Sequence, residues 1–118
     1  MKEKDVLGRH GETLAAGFLE ALGMQVIDRN WRCPTGEIDI VALDGDTLVI
    51  AEVKTRRSLD YGHPFEAVGA AKLARLHRLA SSWCTAHELR AASRRVDVVA
   101  VIHDGIGAPS VEHLKGVG

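Results

Sequence analysis

Aromatic side chains make up only 4% of the 118 residues, and there are just two cysteines and three prolines. No run of apolar residues approaches the roughly 20 that a membrane-spanning helix requires, so no membrane association is expected. Cys33 and Cys84 lie far apart and lack metal-ligand spacing. They read as small buried thiols, which argues against a disulfide scaffold or a cysteine zinc site. The six histidines form no zinc pattern with a partner cysteine or carboxylate, and each reads as structural or surface. With aromatics so scarce, Trp31 and Trp83 belong to apolar stretches and to the core before they belong to a base-stacking platform. Charge of one sign is lacking too: 15 basic against 16 acidic residues leave a formal net charge of -1. Bulk electrostatics therefore gives no pull toward nucleic acid, and any such binding must come from a local patch. The opening Met1-Lys2-Glu3-Lys4-Asp5 has no apolar core behind it, so no secretory signal is expected and a cytoplasmic location is the default.

What is present fits one compact domain over residues 1–118 with a single hydrophobic core. No repeat, low-complexity tract or linker divides it. From about Asp5 to Leu22, Leu14, Ala15, Phe18, Leu19 and Leu22 recur at helical spacing, and Gly23 is a natural stop. Met24 to Trp31 suits a strand, though it alternates less cleanly, and Cys33-Pro34-Thr35-Gly36 marks a turn. Glu37–Leu43 and Thr47–Lys54 read as strands joined at Asp44-Gly45-Asp46, a strong hairpin signal. A polar loop, Thr55 to Pro64, precedes a helical pattern from about Phe65 to His87 with the stripe Leu73, Leu76, Ala80 and Trp83. Arg95 to Ile102 is a core strand, and Val111 to Leu114 a short edge strand. The expected fold is α/β: helix, three strands, helix, strand, then a last strand, as a mixed sheet flanked by helices.

The hairpin holds the chemistry. A tight turn places Asp39 opposite Glu52 and Glu37 opposite Lys54, with cross-strand Cβ atoms roughly 4.5–5.5 Å apart. Period-two alternation sends Glu37, Asp39, Glu52 and Lys54 to one face, followed by the apolar Val41, Leu43, Leu48 and Ile50. Ile38, Ile40, Ala51 and Val53 go to the other. A slip of one residue would dissolve the cluster. Two carboxylates that close repel unless a proton or a cation intervenes. Mg²⁺ suits them, since it takes one or two protein carboxylates and keeps several waters. Lys54 could orient or deprotonate a water, or stabilise charge on a phosphate. A plain salt-bridge cluster, with Glu37 and Glu52 pairing Lys54, accounts for the same spacing. Glu12 borders the apolar stripe of the first helix, as either a further ligand or a solvated residue.

Among the basic residues, Arg56, Arg57 and Lys72 are the candidates to ring the acidic cleft and grip phosphates. Arg75 and Arg78 read as an ordinary solvated face. Ser58 to Pro64, with Asp60, Tyr61, Gly62 and His63, is a candidate substrate-contacting loop. Asp97, between Val96 and Val98, reads as a buried structural carboxylate pairing an arginine.

Gly8-Arg9-His10-Gly11-Glu12, Asn30-Trp31-Arg32-Cys33, Gly36-Glu37-Ile38-Asp39, Glu52-Val53-Lys54-Thr55-Arg56 and Arg95-Val96-Asp97-Val98-Val99 occur in that order. This series resembles the YraN-like family of small bacterial proteins over essentially the whole chain. That family looks like a member of the restriction-endonuclease-like superfamily, whose nuclease motif is Asp, a spacer, then Asp or Glu, one residue and Lys. The resemblance matches Asp39, Glu52 and Lys54 to these positions, with Ile38 where the motif's name has Pro. It matches Glu12 to the first-helix acid of many Holliday-junction-resolvase-like members. It implies a helix, three strands, a helix and a strand as the core. It also implies a Mg²⁺- or Mn²⁺-dependent DNA endonuclease, with Glu12, Asp39 and Glu52 as metal ligands and branched DNA as a substrate class. Enzymes of this kind that make paired cuts act as dimers, so a two-fold homodimer is expected by analogy. The alternative function is a non-catalytic nucleic-acid-binding module that retains the nuclease fold. A third is a protein-interaction domain whose acidic cleft is structural.

Overall fold

The computed structural model describes residues 3–60 and 62–117, with side chains from Leu7 onward. Tyr61 of the candidate loop and the first two residues lie outside that range. The elements follow the expected order: α1 (Glu3–Ala21), β1 (Gln25–Cys33), β2 (Gly36–Asp44), β3 (Thr47–Arg56), α2 (Ala70–His87), β4 (Ser93–Ile102) and β5 (Ser110–Leu114). They build one five-stranded sheet in the order β1-β2-β3-β4-β5. All neighbours are antiparallel except β3 and β4. A parallel neighbour needs a long crossover, which the segment carrying α2 supplies.

Each helix covers one face of the sheet. Ala15, Ala16 and Leu19 of α1 pack on Ile40, Ala42, Val49, Ala51, Val99 and Val101. Leu76, Leu79, Ala80 and Trp83 of α2 pack on Ile38, Val41, Leu48, Ile50 and Val96. The two central strands of the hairpin are thus apolar on both sides, which is why their sequences run as Ile-Val-Ala and Leu-Val-Ile-Ala with little polar alternation. At the hairpin, Asp44 pairs with Thr47, so the turn has two central residues, and Gly45 takes φ +62, where a Cβ would be strained. Gly23 ends α1 at φ +96, as the sequence implies. Trp83 is buried, and its indole N–H donates to Asp28 Oδ2 at 2.8 Å.

The structure departs from expectation at the second helix, which does not run from Phe65. Pro64–Ala67 form a separate 3-10 turn, with the Phe65 N–H donating to His63 Nδ1 at 3.1 Å. Gly69 is extended (φ -89, ψ -177), and α2 starts only after it. Leu79 joins the apolar stripe. The uneven alternation of β1 has a cause as well: the register with β2 shifts between Val26 and Asp28, and Asn30 has φ +54.

Asp97 is structural, as expected. It is fully buried and accepts hydrogen bonds from Arg95 Nε (3.0 Å), His113 Nε2 (2.7 Å) and the Gly116 N–H (2.9 Å). Arg95 also reaches Asp44 at 2.8 Å, and the two carboxylates raise its pKa against the opposing effect of burial. One buried anion therefore ties β4 to β5 and to the chain beyond it.

Candidate active site

The hairpin register is the one the turn chemistry implies. Leu43 lies opposite Leu48, Val41 opposite Ile50 and Ile40 opposite Ala51, so one further step brings Asp39 level with Glu52. At that step the backbone ladder stops, and a side chain takes its place: the Val53 N–H donates to Asp39 Oδ2 at 2.8 Å. The strict alternation expected across this point fails with it. Ile40 packs on the α1 side, whereas Ile38 packs on the α2 side against Leu76 and Leu79. A carboxylate reaching into the sheet to satisfy an amide rotates the strand, and period-two counting does not survive the turn.

Asp39 and Glu52 are both buried, and each carboxyl group acts on the titration of the other. Burial, the Glu52 hydrogen bond and the Glu52 charge push the Asp39 pKa up to about 8, with the Val53 N–H pulling the other way. Burial also pushes Glu52 up, but the hydrogen bond from Asp39 and the Lys72 ammonium outweigh it and hold Glu52 below its usual value. The two acids therefore resist being ionised together, and the opposite directions of their shifts make Asp39 the one that holds a proton more readily.

Neither ion pair of the plain salt-bridge alternative forms. Glu37 leaves the cluster and pairs with Arg32 across β1 and β2 at 2.9 Å, in the open. Glu52 pairs with Lys72 of α2, whose Nζ lies 2.9 Å from Oε2. The angle is poor, so this buried oxygen accepts no aligned hydrogen bond among the described residues. Lys54 stays half-buried, acts on Glu52 through its charge, and has no ion pair within 4 Å among the described residues.

Glu12 approaches from α1. The helix can run this close to β3 because position 11 is glycine: a Cβ on Gly11 would stand 2.1 Å from Thr55 Oγ1. Burial raises the Glu12 pKa, the Asn30 side chain opposes that rise, and Glu12 acts on Asp39 through its charge. Among the described residues, no three His, Cys, Asp or Glu side chains converge closely enough to form a metal cage. What the structure brings together is therefore Asp39, Glu52, Lys54 and Lys72, with Glu12 a step outside. Arg56 and Arg57 are exposed at the end of β3, and the Arg56 guanidinium donates to the Thr55 carbonyl at 2.9 Å.

Sequence reasoning missed three parts of this site: the Val53 amide, the influence of Asn30 on Glu12 and the Gly11–Thr55 contact. Asn30 and Gly11 lie in the motifs quoted above, and the positive φ of Asn30 is a conformation asparagine tolerates better than most residues.

The family model described as "Uncharacterised protein family UPF0102" matches residues 11–101, an interval containing all of these groups. The chain belongs to the UPF0102 family. A UPF0102 protein of Arthrobacter sp. (strain FB24) is 75% identical over the whole of both chains. One of Beutenbergia cavernae is 57% identical, again over the full length of both. One of Streptomyces griseus is 52% identical over 99% of each. Membership of UPF0102 fits the YraN-like resemblance read from the motifs.

Proposed function

We propose that this UPF0102 protein is a metal-dependent DNA endonuclease that hydrolyses phosphodiester bonds, with branched DNA as a substrate class. The observation that carries the reading is the burial of Asp39 and Glu52, each acting on the other's ionisation, near Lys54, which has no ion pair within 4 Å among the described residues. Two buried acids that resist being ionised together, one with an oxygen lacking an aligned hydrogen bond among the described residues, suit a divalent cation. Asp39 and Glu52 would hold Mg²⁺ or Mn²⁺, with Glu12 adding negative charge or a water-borne contact. Such an ion, when bound, polarises a phosphate and lowers the pKa of water.

The chain's own residues do the rest. The Val53 amide fixes one Asp39 oxygen and leaves the other for the site. Lys54, as a cation, meets the negative charge developing on the phosphate and helps orient the attacking water as the bond from phosphorus to the leaving oxygen breaks. Arg56 and Arg57 grip flanking phosphates.

The test is a cleavage assay on plasmid, linear, single-stranded and four-way-junction DNA with Mg²⁺ or Mn²⁺. A Glu52→Ala/Lys54→Ala double variant, purified identically, is the control. Cleavage by the wild type alone supports the proposal. Absence of cleavage on every substrate, from a folded protein whose melting temperature ignores both metals, overturns it. DNA binding that persists without metal and survives Lys54→Ala would then favour a non-catalytic binding module.

A further inference from the structure

Lys72, expected at the rim of the acidic cleft as a phosphate-gripping group, pairs with one of the acids of that cleft. It occupies the third position of α2, where the helix dipole disfavours a cation, and no acid stands in that first turn to offset it. Its placement is explained across the gap to the sheet, where the ammonium lies 2.9 Å from Glu52 Oε2. The partners are unequal: the Glu52 side chain is 8% exposed and that of Lys72 34%. Glu52 is fixed in a central strand, whereas Lys72 has a flexible stem with an open route to solvent. The contact is close yet poorly aligned, so Lys72 supplies charge to Oε2 without a directed hydrogen bond.

We propose that Lys72 is a displaceable counter-ion: it neutralises Glu52 in the metal-free protein and releases that carboxylate when a divalent cation is bound. The inference rests on the metal-dependent reading above. A divalent cation and an ammonium cannot both lie against the same buried oxygen without strong repulsion. Each therefore weakens the other's hold on Glu52. Lys72 keeps the carboxylate charged and correctly placed before metal arrives, at a cost to metal affinity. The freed side chain, at the mouth of the site, becomes a positive group available to an incoming phosphate.

The experiment is a calorimetric Mn²⁺ titration of the full chain as wild type, Lys72→Met and Lys72→Arg. Methionine keeps the length and the helix propensity and removes the charge. Lys72→Met should bind Mn²⁺ about fivefold or more tightly than wild type, the lower range of a competitive coupling, while Lys72→Arg stays near wild type. In parallel, acylation of Lys72 by an N-hydroxysuccinimide ester, read by mass spectrometry, should quicken on adding Mg²⁺ in the wild type and not in Asp39→Asn. Equal or weaker Mn²⁺ binding by Lys72→Met, or a Lys72 acylation rate indifferent to Mg²⁺, overturns the displacement while leaving the nuclease reading intact. A wild type that binds no Mn²⁺ overturns both.

Discussion

Gly11 and Thr55 are in such close approach that a methyl group on the first would collide with the hydroxyl of the second, at 2.1 Å. The contact sets how near α1 lies to the end of β3, and hence where Glu12 stands. Gly11→Ala should push the helix outward and destabilise the protein by about 1–3 kcal/mol, the usual cost of overpacking a filled interior. Paired denaturation curves check this. Gly11→Ala/Thr55→Ser, which removes the Cγ2 at 2.9 Å but not the hydroxyl, should recover only part of the loss.

The proton held by Asp39 makes stability depend on pH in an unusual direction. An unfolded aspartate titrates near its ordinary 3.8, whereas the native one titrates at about 8. Between those values the native state holds a proton that the unfolded state has lost, so stability falls as pH rises. The depressed Glu52 acts oppositely: its contribution is present above the ordinary glutamate range and lost on acidification. In metal-free buffer the melting temperature should therefore decline from about pH 5, above the Glu52 range, to about pH 8 and level off beyond it. Asp39→Asn, which can still accept from Val53 and donate to Glu52, should flatten that decline and exceed wild type at the alkaline end. A wild-type profile that rises through this window would contradict the assignment of the proton.

The Asp97 cluster offers a stability test away from the site. Arg95→Met removes one donor group from a fully buried carboxylate and breaks the link to Asp44. A loss of about 3–5 kcal/mol is expected, as for an uncompensated buried charge, tempered by the remaining bonds from His113 and Gly116. Chemical denaturation measures it, and any cleavage activity should persist below the lowered melting point.

If the protein binds DNA as proposed, Arg56→Ala and Arg57→Ala should each reduce the slope of log affinity against log salt by about 1, as for the loss of one phosphate contact. Lys54→Ala should instead depress turnover with little change in that slope. A fluorescence-anisotropy salt series on junction DNA separates the two classes of effect.

Much of this arrangement is legible in the sequence because it rests on local rules. Asp44-Gly45-Asp46 dictates a tight turn, the turn dictates register, and register brings Asp39 level with Glu52. The apolar continuity of Ile40–Leu43 and Leu48–Ala51 announces strands covered on both faces. What could not be read depends on departures from regularity. The face of Ile38 follows from a carboxylate replacing a backbone acceptor at Val53, which no periodicity encodes. Lys72 is legible as a cleft residue but not as the ion-pair partner of Glu52, and the helical pattern from Phe65 conceals the break at Gly69 where α2 begins. The Glu37–Arg32 pair takes a predicted member out of the cluster through the β1 register, which bulges and is not set by a short turn.

The parallel pairing of β3 with β4 has an architectural consequence. Residues 57–60 and 103–109, distant in the chain, leave the sheet at the same end, joined at the base where the His103 N–H donates to the Arg56 carbonyl at 2.9 Å. The hairpin bearing Asp39 and Glu52 turns at the opposite end. Insertions or exchanges in those two connections would leave the register of the carboxylate pair untouched, because that register is set by the hairpin turn at the far end. Under the proposed function, contacts to DNA from the two connections could then vary without disturbing the metal-binding pair.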